Sequence, residues 1–392
     1  MTEKVQAMKE NFHVLVIPTW YPNGRDKLIG IYHKTFCKVL AETGKAKVNM
    51  LYVDRVGVKQ LPQYPFMKKR YEEKEEGYTV YARKMLSRVK VSFKWQTKAY
   101  AKVMEKAFRE YVKKEGKPDI LHAHVAVPAG YAAARIGKKY GIPVLVTEHA
   151  YSPWAKPEGK AFSRFVAENA KVTCVSTFLQ DMLREKYGTD SELLPNVVDT
   201  AAFEKPRALL NDGVYRLLTV SALRPGKCVD DTIKALKLLR DRGQIGKFEF
   251  TVIGNGQTEA FYKQAAIDLN MTDCVKFVGR KDPEEAAEYL THTDTLVIAS
   301  NFETFGIPAL EALAAGVPVV CTKCFGPETF LDNSCAELCE FENPEDLARA
   351  IKAMYEKRGT FDEEALRSVA KRFGSEAIAN RAFALYEELL QA

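Results

Sequence analysis

Short apolar runs alternate with helix-length amphipathic segments along most of this chain. In the first half, the helical patterns "IYHKTFCKVLAET" and "AGYAAARIGKKYG" lie among apolar runs that are typical of buried strands, which are "HVLVIP", "VNMLYV", "DILHAHV", "PVLVTEHA" and "KVTCVS". Strands that alternate with helices predict parallel sheets covered on both faces. The chain is therefore expected to be an α/β protein.

The alternation pauses once and then restarts. The stretch "LLPNVVDTAAFEKPRALLNDG" carries Pro195, Pro206 and Gly213, as a linker would. After it come further strand candidates, "RLLTVSAL", "FEFTVIGNG", "TLVIAS" and "VPVVCT". A chain of 392 residues is long for one core. We therefore predict two Rossmann-like, doubly wound domains, 1–197 and 198–375, followed by an amphipathic helix over 376–392. In such sheets ligands bind outside the carboxyl ends of the strands, in a cleft.

Charge is divided unevenly between the two halves. The first 200 residues hold 35 Lys and Arg against 21 Asp and Glu, whereas the remainder holds 23 against 30. The two halves are therefore expected to have different partners. No apolar run reaches the ~18 residues of a spanning helix, and the charged start "MTEKVQAMKE" is unlike a secretory signal. Eight cysteines without such a signal indicate reduced thiols, so we expect a cytoplasmic protein.

Two glutamates flank a turn after one of the strand candidates. In "TLVIASNFETFGIPALEALAAGVPVVCT", Glu303 lies in the loop and Glu311 lies about one turn into the following helix. Gly306 lets the backbone approach a ligand, and Pro308 suits the start of a helix. The first turn of a helix attracts phosphate, and the two carboxylates can accept sugar hydroxyls. This arrangement predicts a nucleotide-sugar site; the alternative is that acids near a helix start only stabilise the helix dipole.

The segment "NFETFGIPALEALAAGVPVVCT" resembles the E-x7-E segment of the retaining nucleotide-sugar glycosyltransferases of family 4. The resemblance covers most of the chain and implies the GT-B fold, in which two Rossmann-like domains face a central cleft. It implies that the first domain binds the acceptor and the second binds the donor, and that the C-terminal helix crosses back to the first domain. It also implies that Glu311 binds the ribose and Glu303 the sugar, with backbone amides around Phe305, Gly306 and Ile307 supporting the sugar and the phosphates.

Further motifs extend the resemblance. "IPTWYPNGRDKLIGIYHKTFCKVLAE" is similar to the family's first strand, loop and helix, with Gly30 where backbone amides meet the donor phosphates. "VTEHA" resembles the segment whose histidine lies at the reaction centre, which is His149 here. For the histidines of "HAHV", His122 and His124, we expect structural roles.

The phosphate-binding loop departs from the family pattern. Lys227 takes the place of the family lysine, but the usual arginine is Ala222, so Arg224 is the candidate to replace its charge. Cys228 stands where the family has glycine. "VKFVGR" resembles the stretch that holds the nucleobase, which makes Val278 and Arg280 candidates.

Two further turns resemble family motifs without pointing to ligand contacts. "VIGNGQ" resembles a G-x-G turn that shapes the backbone. "KCFGPETFL" resembles the G-G-x-x-E loop, with Gly326 and Glu328 as the matches and a structural or base-proximal role for Glu328.

The resemblance implies a retaining hexosyltransferase of bacterial cell-surface polysaccharide synthesis, with a glycan or polyprenyl-linked glycan as acceptor. A UDP-sugar is the favoured donor, and GDP-mannose comes next. Front-face attack is implied, with Lys227 and Arg224 stabilising the departing diphosphate and His149 near the anomeric carbon. A nucleotide-sugar epimerase and a non-catalytic glycan- or membrane-binding protein are the alternatives.

No metal or other cofactor is expected, because the chain has no D-x-D sequence and the site offers cations of its own. The alternative is a four-thiolate zinc site formed by Cys321, Cys324, Cys335 and Cys339, but we expect these residues to be small buried thiols.

A basic segment interleaved with aromatic residues covers 83–114. It fits an amphipathic helix on the anionic inner face of a membrane, a solvated helix with its apolar side in the core, or less well a nucleic-acid surface. We expect no nucleic-acid partner and leave peripheral membrane contact open.

Overall fold

The computed structural model describes residues 11–22, 29–57, 62–87, 92–149 and 159–391. The chain forms two compact units. Unit one comprises Met1–Val175, Leu179–Val197 and Ile378–Ala392, and unit two comprises Ser176–Phe178 and Val198–Ala377.

Unit one is built on an eight-stranded sheet with the order β3-β4-β2-β1-β5-β6-β7-β8. All neighbouring strands are parallel except the edge strand β3, which pairs antiparallel with β4. The strands are β1 (Phe12–Pro18), β2 (Ala46–Val56), β3 (Arg70–Lys74), β4 (Thr79–Leu86), β5 (Ile120–His124), β6 (Val144–Glu148), β7 (Lys171–Cys174) and β8 (Glu192–Leu193).

The helices of unit one cover this sheet, although the first two residues of α5 belong to unit two. They are α1 (Ile31–Glu42), α2 (Phe93–Glu115), α3 (Tyr131–Tyr140), α4 (Lys160–Asn169) and α5 (Thr177–Tyr187). The β3–β4 hairpin was not predicted, because its sequence "RYEEKEEGYTV" is mostly charged. Charged side chains are, however, what an edge strand uses to resist pairing with another chain.

The basic segment 83–114 is not a single helix. Its first residues belong to β4, where Arg83 pairs in register with Val53 of β2. Helix α2 begins only at Phe93, because the Ser92 hydroxyl accepts the Trp95 N–H at 3.4 Å and caps the first turn. The charge pattern could not reveal this boundary, since lysine and arginine are tolerated on both an edge-proximal strand and a helix.

The last helix, α12 (Ser375–Gln391), belongs to unit one from Ile378 onward. Its Phe383 ring stacks on Phe12 at a centroid distance of 5.6 Å, and Tyr386 is fully buried. The C-terminal residues therefore complete the hydrophobic core of the unit that contains β1.

Unit two has a six-stranded parallel sheet with the order β11-β10-β9-β12-β13-β14. Its strands are β9 (Tyr215–Val220), β10 (Phe248–Ile253), β11 (Val275–Gly279), β12 (Thr295–Ile298), β13 (Val319–Thr322) and β14 (Ala336–Cys339). Its helices are α6 (Val229–Asp241), α7 (Glu259–Asp268), α8 (Pro283–Thr291), α9 (Ile307–Ala314), α10 (Pro344–Glu356) and α11 (Glu363–Lys371). Both units confirm the predicted α/β class with parallel sheets.

The strand order of unit two reverses between β9 and β12. From β9 the chain winds outward through β10 and β11, and from β12 it winds the other way through β13 and β14. Ligands of open α/β sheets bind at such a switch point, beyond the carboxyl ends of the strands. Among the described residues, no helix is both long enough and apolar enough to span a membrane.

Candidate functional site

The loops that follow β9 and β12 meet at the switch point of unit two. The Lys227 ammonium forms an ion pair with Glu303 Oε1, and the Ser300 hydroxyl donates to the same oxygen at 2.8 Å. Both members of the pair are mostly shielded, with side-chain exposures of 10% and 18%. A cation and a carboxylate are therefore held side by side where a ligand of this fold would bind.

The loop after β13 holds the backbone of Glu303 from the other side. The Glu303 N–H donates to the Cys324 carbonyl at 2.9 Å, and the Gly326 N–H donates to the Glu303 carbonyl at 3.0 Å. A Cβ on Gly326 would lie only 2.3 Å from the Phe305 nitrogen, so no larger residue fits there. The backbone that carries the Glu303 carboxylate is thus held in place through hydrogen bonds of both its N–H and its carbonyl group.

Helix α9 begins directly after the loop that contains Glu303. Gly306 precedes its first residue with φ 94°, and a Cβ there would lie 2.7 Å from Pro327 Cγ. The Phe305 side chain is buried against Phe330 at a centroid distance of 5.5 Å. Phe305 can therefore offer a ligand its backbone but not its ring, and Ile307 follows as the first helical residue.

Glu311 lies one turn into α9, as predicted from the sequence. Desolvation by burial raises the pKa of its carboxyl from the ordinary value to about 7, although part of the residue remains accessible. No hydrogen-bond partner of this carboxyl occurs among the described residues. An unpaired carboxyl that titrates near neutrality is suited to accept ligand hydroxyls once it is ionised.

The turn after β9 carries the candidates for phosphate binding. The Lys227 N–H donates to the Arg224 carbonyl at 3.2 Å, so both residues belong to one tight turn. Arg224 is exposed, as is Ala222, and the ion pair of Glu303 is formed with Lys227. Cys228 follows with φ 47°, so a cysteine here keeps the left-handed backbone that glycine usually supplies.

The remaining candidates of unit two lie at the end of β11 and in neighbouring turns. Val278 is half-buried and Arg280 is exposed. Gly254 packs so closely that a Cβ would lie 1.8 Å from the Ser221 carbonyl oxygen, which agrees with a turn-shaping role. The Glu328 carboxylate accepts the Phe325 N–H at 2.8 Å and caps its own short helical turn.

In unit one, His149 follows the carboxyl end of β6. Its Nε2 shares a hydrogen bond of 2.8 Å with His124 Nδ1, and the Glu148 carboxylate accepts its backbone N–H at 2.9 Å. Burial lowers the pKa of His149 to about 3, with a smaller opposing contribution from a hydrogen bond to Asn196. The imidazole is therefore neutral throughout the physiological range.

The structure adds His33, on α1, to this histidine group, which the sequence did not indicate. Its ring centroid lies 4.6 Å from that of His124 and 5.2 Å from that of His149. The only available signal was a histidine on a helix next to the glycine loop, and such a residue is usually unremarkable. By contrast, His122 is fully hydrogen-bonded, to the Tyr386 hydroxyl at 2.7 Å and the Thr147 hydroxyl at 2.8 Å, as a structural histidine would be.

Gly30 immediately precedes α1 with φ 66°, and a Cβ there would lie 2.6 Å from the Trp20 ring. This position therefore requires glycine for local packing against Trp20. The proposed contact of its backbone with donor phosphates stays a prediction.

The four cysteines of the rejected zinc interpretation do not gather into a ligand set among the described residues. Cys321 Sγ and Cys324 Sγ lie 3.9 Å apart, and all four thiols are buried. Within the described part of the chain, the single group with metal-ligand spacing is His33, His124 and His149.

Comparison with known protein families defines the class to which these two units belong. Residues 201–374 match the family described as Glycosyl transferases group 1, and residues 66–202 match Glycosyltransferase Family 4. Two segments of the chain thus match glycosyltransferase domain families, and the fold is the predicted GT-B fold.

Individual relatives agree with this class. The "Uncharacterized glycosyltransferase MJ1178" of Methanocaldococcus jannaschii is 29% identical over 69% of this chain and 76% of its own. The "Putative teichuronic acid biosynthesis glycosyltransferase TuaC" of Bacillus subtilis is 24% identical over 86% of this chain and 88% of its own. The crystal structure of Anabaena HepE in complex with UDP-glucose is similar with a TM-score of 0.67 at 16% identity, covering 95% of this chain and 99% of that one.

Proposed function

We propose that this protein is a retaining glycosyltransferase that moves a hexose from a nucleotide diphosphate sugar to a hydroxyl group of a glycan or polyprenyl-linked glycan. The observation that carries the proposal is the meeting of Lys227 and Glu303 at the switch point of unit two, directly before the helix that contains Glu311. The two glycosyltransferase domains supply the reaction class.

In the donor complex, the carboxylate of Glu311 accepts the two ribose hydroxyls and that of Glu303 accepts hydroxyls of the transferred sugar. Backbone amides of Phe305, Gly306 and Ile307 support the sugar and the phosphates, as the start of a helix favours anions. Val278 and Arg280 hold the base.

Lys227 and Arg224 stabilise the negative charge that develops on the departing diphosphate. In the free protein Lys227 is already paired with Glu303. Donor binding therefore replaces this ion pair with two new contacts. The Lys227 ammonium donates to phosphate oxygens, and the Glu303 carboxylate accepts sugar hydroxyls.

Unit one presents the acceptor. His149 is a neutral imidazole at a strand end, able to hydrogen-bond a hydroxyl group near the anomeric carbon, and the backbone at Gly30 approaches the donor phosphates. Attack proceeds on the front face, and the leaving phosphate takes the acceptor proton.

A UDP-sugar is the favoured donor, since the structurally similar Anabaena protein was crystallised in complex with UDP-glucose, and GDP-mannose is the next choice. The relative named for teichuronic acid biosynthesis supports an acceptor in bacterial cell-surface polysaccharide synthesis. The donor site is proposed to work without a metal ion, because lysine, arginine and the helix start supply positive charge.

The acceptor side is also proposed to touch an anionic membrane through one face of α2, with the protein otherwise in the cytoplasm. Trp95 is 67% exposed, and Lys94, Lys98 and Lys102 form no ion pair with another described residue. The three lysines and the tryptophan share one helix face, which is the arrangement that binds anionic lipid surfaces.

A thermal-shift panel of UDP, GDP, ADP and their sugars tests the donor site. A ligand at 100 times its dissociation constant stabilises the folded state by about 2.7 kcal/mol, which is readily visible. One nucleotide should stabilise the wild type but not Glu311→Ala. Glu284→Ala is the matched control, because Glu284 is an exposed acid in the first turn of α8 in the same unit.

The result of the thermal-shift panel distinguishes a transferase from a protein that lacks a working donor site. A shift that Glu284→Ala keeps and Glu311→Ala loses identifies the base and supports the transferase. No shift with any nucleotide would contradict the proposal and would indicate that the exposed Ala222 has cost the site its phosphate affinity.

A further inference from the structure

Three of the six histidines of the chain converge inside unit one. His33 comes from α1, His124 from the end of β5 and His149 from the end of β6. Their ring centroids lie 4.6 to 5.2 Å apart, and one nitrogen of each ring lies within 4.8 Å of the others. Two adjacent parallel strands and the first helix therefore bring three imidazoles to one point.

Hydrogen bonding within this cluster is incomplete. Both ring nitrogens of His33 lack a partner among the described residues, and so does His124 Nε2. His33 is fully buried, so water outside the protein cannot satisfy it. A buried polar group without a partner is costly, and a bound ion is one way in which proteins satisfy such a group. His122, two residues from His124, has partners on both nitrogens and shows that the fold can satisfy a buried histidine here.

The chemistry of the cluster suits a metal ion. Imidazole nitrogen is a common ligand of transition metals, and the unpartnered nitrogens of His33 and His124 are available for it. A small cavity of about 10 Å³ lies among the three rings, next to Asn196 and Thr147.

The buried Glu148 carboxylate lies beside the cluster. It accepts the backbone N–H of His149 at 2.9 Å and that of Ala126 at 3.0 Å. A negative charge at this position offsets part of the charge of a bound cation.

We propose that His33, His124 and His149 form a binding site for a divalent transition-metal ion of the Zn²⁺ type. Zinc binds imidazole nitrogen at about 2.0–2.1 Å, which in a tetrahedral arrangement places ligand nitrogens roughly 3.3 Å apart. The three ligand nitrogens lie within 4.8 Å of one another and adjust to this spacing on metal binding. The hydrogen between His124 Nδ1 and His149 Nε2, which lie 2.8 Å apart, then moves to the other nitrogen of its own ring, so that both facing nitrogens offer lone pairs. All three ligands belong to unit one, and the bound ion engages the imidazole of His149, which the proposed function places near the anomeric carbon.

Titration with Co²⁺ tests the site without relying on activity. Cobalt replaces zinc in nitrogen sites and gives visible d–d absorption bands that report the coordination geometry. The untagged full-length protein, first treated with a chelator and dialysed, should develop intense bands of four-coordinate Co²⁺ that added Zn²⁺ abolishes. His33→Gln should weaken Co²⁺ binding by more than about a hundredfold, because outer-shell changes alone cost 10- to 100-fold at metal sites.

His292→Gln is the matched control, since His292 is a half-buried histidine of unit two, and this variant should bind Co²⁺ like the wild type. If His33→Gln does not fold, the wild type still decides, because coordination by the cluster must shift the NMR imidazole signals of His33, His124 and His149 and leave that of His292 unchanged. Absent bands, or equal binding by wild type and a folded His33→Gln variant, would overturn the proposal. The nucleotide panel can be run with chelator present. A negative Co²⁺ titration therefore does not affect the test of the donor site.

Discussion

At the scale of single residues, Glu311 has the clearest consequence for behaviour in solution. Burial raises its pKa to about 7, so the carboxyl changes charge across the physiological range. A carboxylate accepts two hydroxyls, whereas a protonated carboxyl loses part of that capacity. We therefore expect nucleotide affinity to rise about tenfold between pH 6 and pH 8, as the ionised fraction grows.

Isothermal titration at several pH values, with the nucleotide selected by the thermal-shift panel, measures this slope. Glu311→Gln should bind weakly and with little pH dependence. A wild-type affinity that stays constant over this range would show that Glu311 does not contact the ligand. The free protein should show the opposite trend in stability, because a raised carboxyl pKa contributes stability at low pH that is lost as the pH rises through 7.

The backbone conformation of Cys228 is a property that only the three-dimensional structure reveals. Its φ of 47° places a non-glycine residue in the left-handed region, at the position where the family has glycine. The sequence indicated a departure from the family pattern, and the structure shows that the cysteine adopts a backbone conformation that glycine adopts more readily. The substitution therefore leaves the geometry of the Lys227 turn intact and costs only local strain.

At the scale of secondary structure elements, the exposed face of α2 carries a prediction about membranes. Trp95 and the lysines at 94, 98 and 102 lie on one side of the helix. Together with Tyr131 and Arg135 they line a groove. The paired substitution Lys98→Glu and Lys102→Glu should reduce binding to vesicles that contain phosphatidylglycerol by at least tenfold, since each basic residue near an anionic surface contributes about 1 kcal/mol.

Co-sedimentation with such vesicles and Trp95 fluorescence provide the measurement. Vesicles of phosphatidylcholine alone should bind neither protein. Lys352→Glu is the control, because it reverses one lysine charge on a helix of unit two and should leave binding unchanged. If the double variant sediments like the wild type, this helix face is only a solvated surface.

At the scale of the whole molecule, the C-terminal helix α12 is part of the same hydrophobic core as the N-terminal strand β1. Phe383 is 4% exposed and stacks on Phe12 of β1. Phe383→Ala should destabilise unit one by about 3–5 kcal/mol, the usual cost of removing a buried aromatic ring. Because unit two has a separate core, its nucleotide-induced stabilisation should persist.

Urea unfolding followed by circular dichroism, with and without nucleotide, separates the two effects. Phe261→Ala, which removes a ring that is 60% exposed, should change stability by less than about 0.5 kcal/mol. Equal effects of the two substitutions would contradict a core role for α12.

The sequence by itself determined the α/β class, most of the helices and strands, and the placement of Glu303 in a loop and Glu311 one turn into a helix. These features are local, because they depend on hydrophobic periodicity and on the backbone preferences of glycine and proline. Only the tertiary structure decided that Lys227 meets Glu303 across 76 positions of sequence, that Glu311 is desolvated, and that His33 joins His124 and His149. Each of these depends on which strands are neighbours in a sheet, and strand order is set by packing between segments that no local pattern connects.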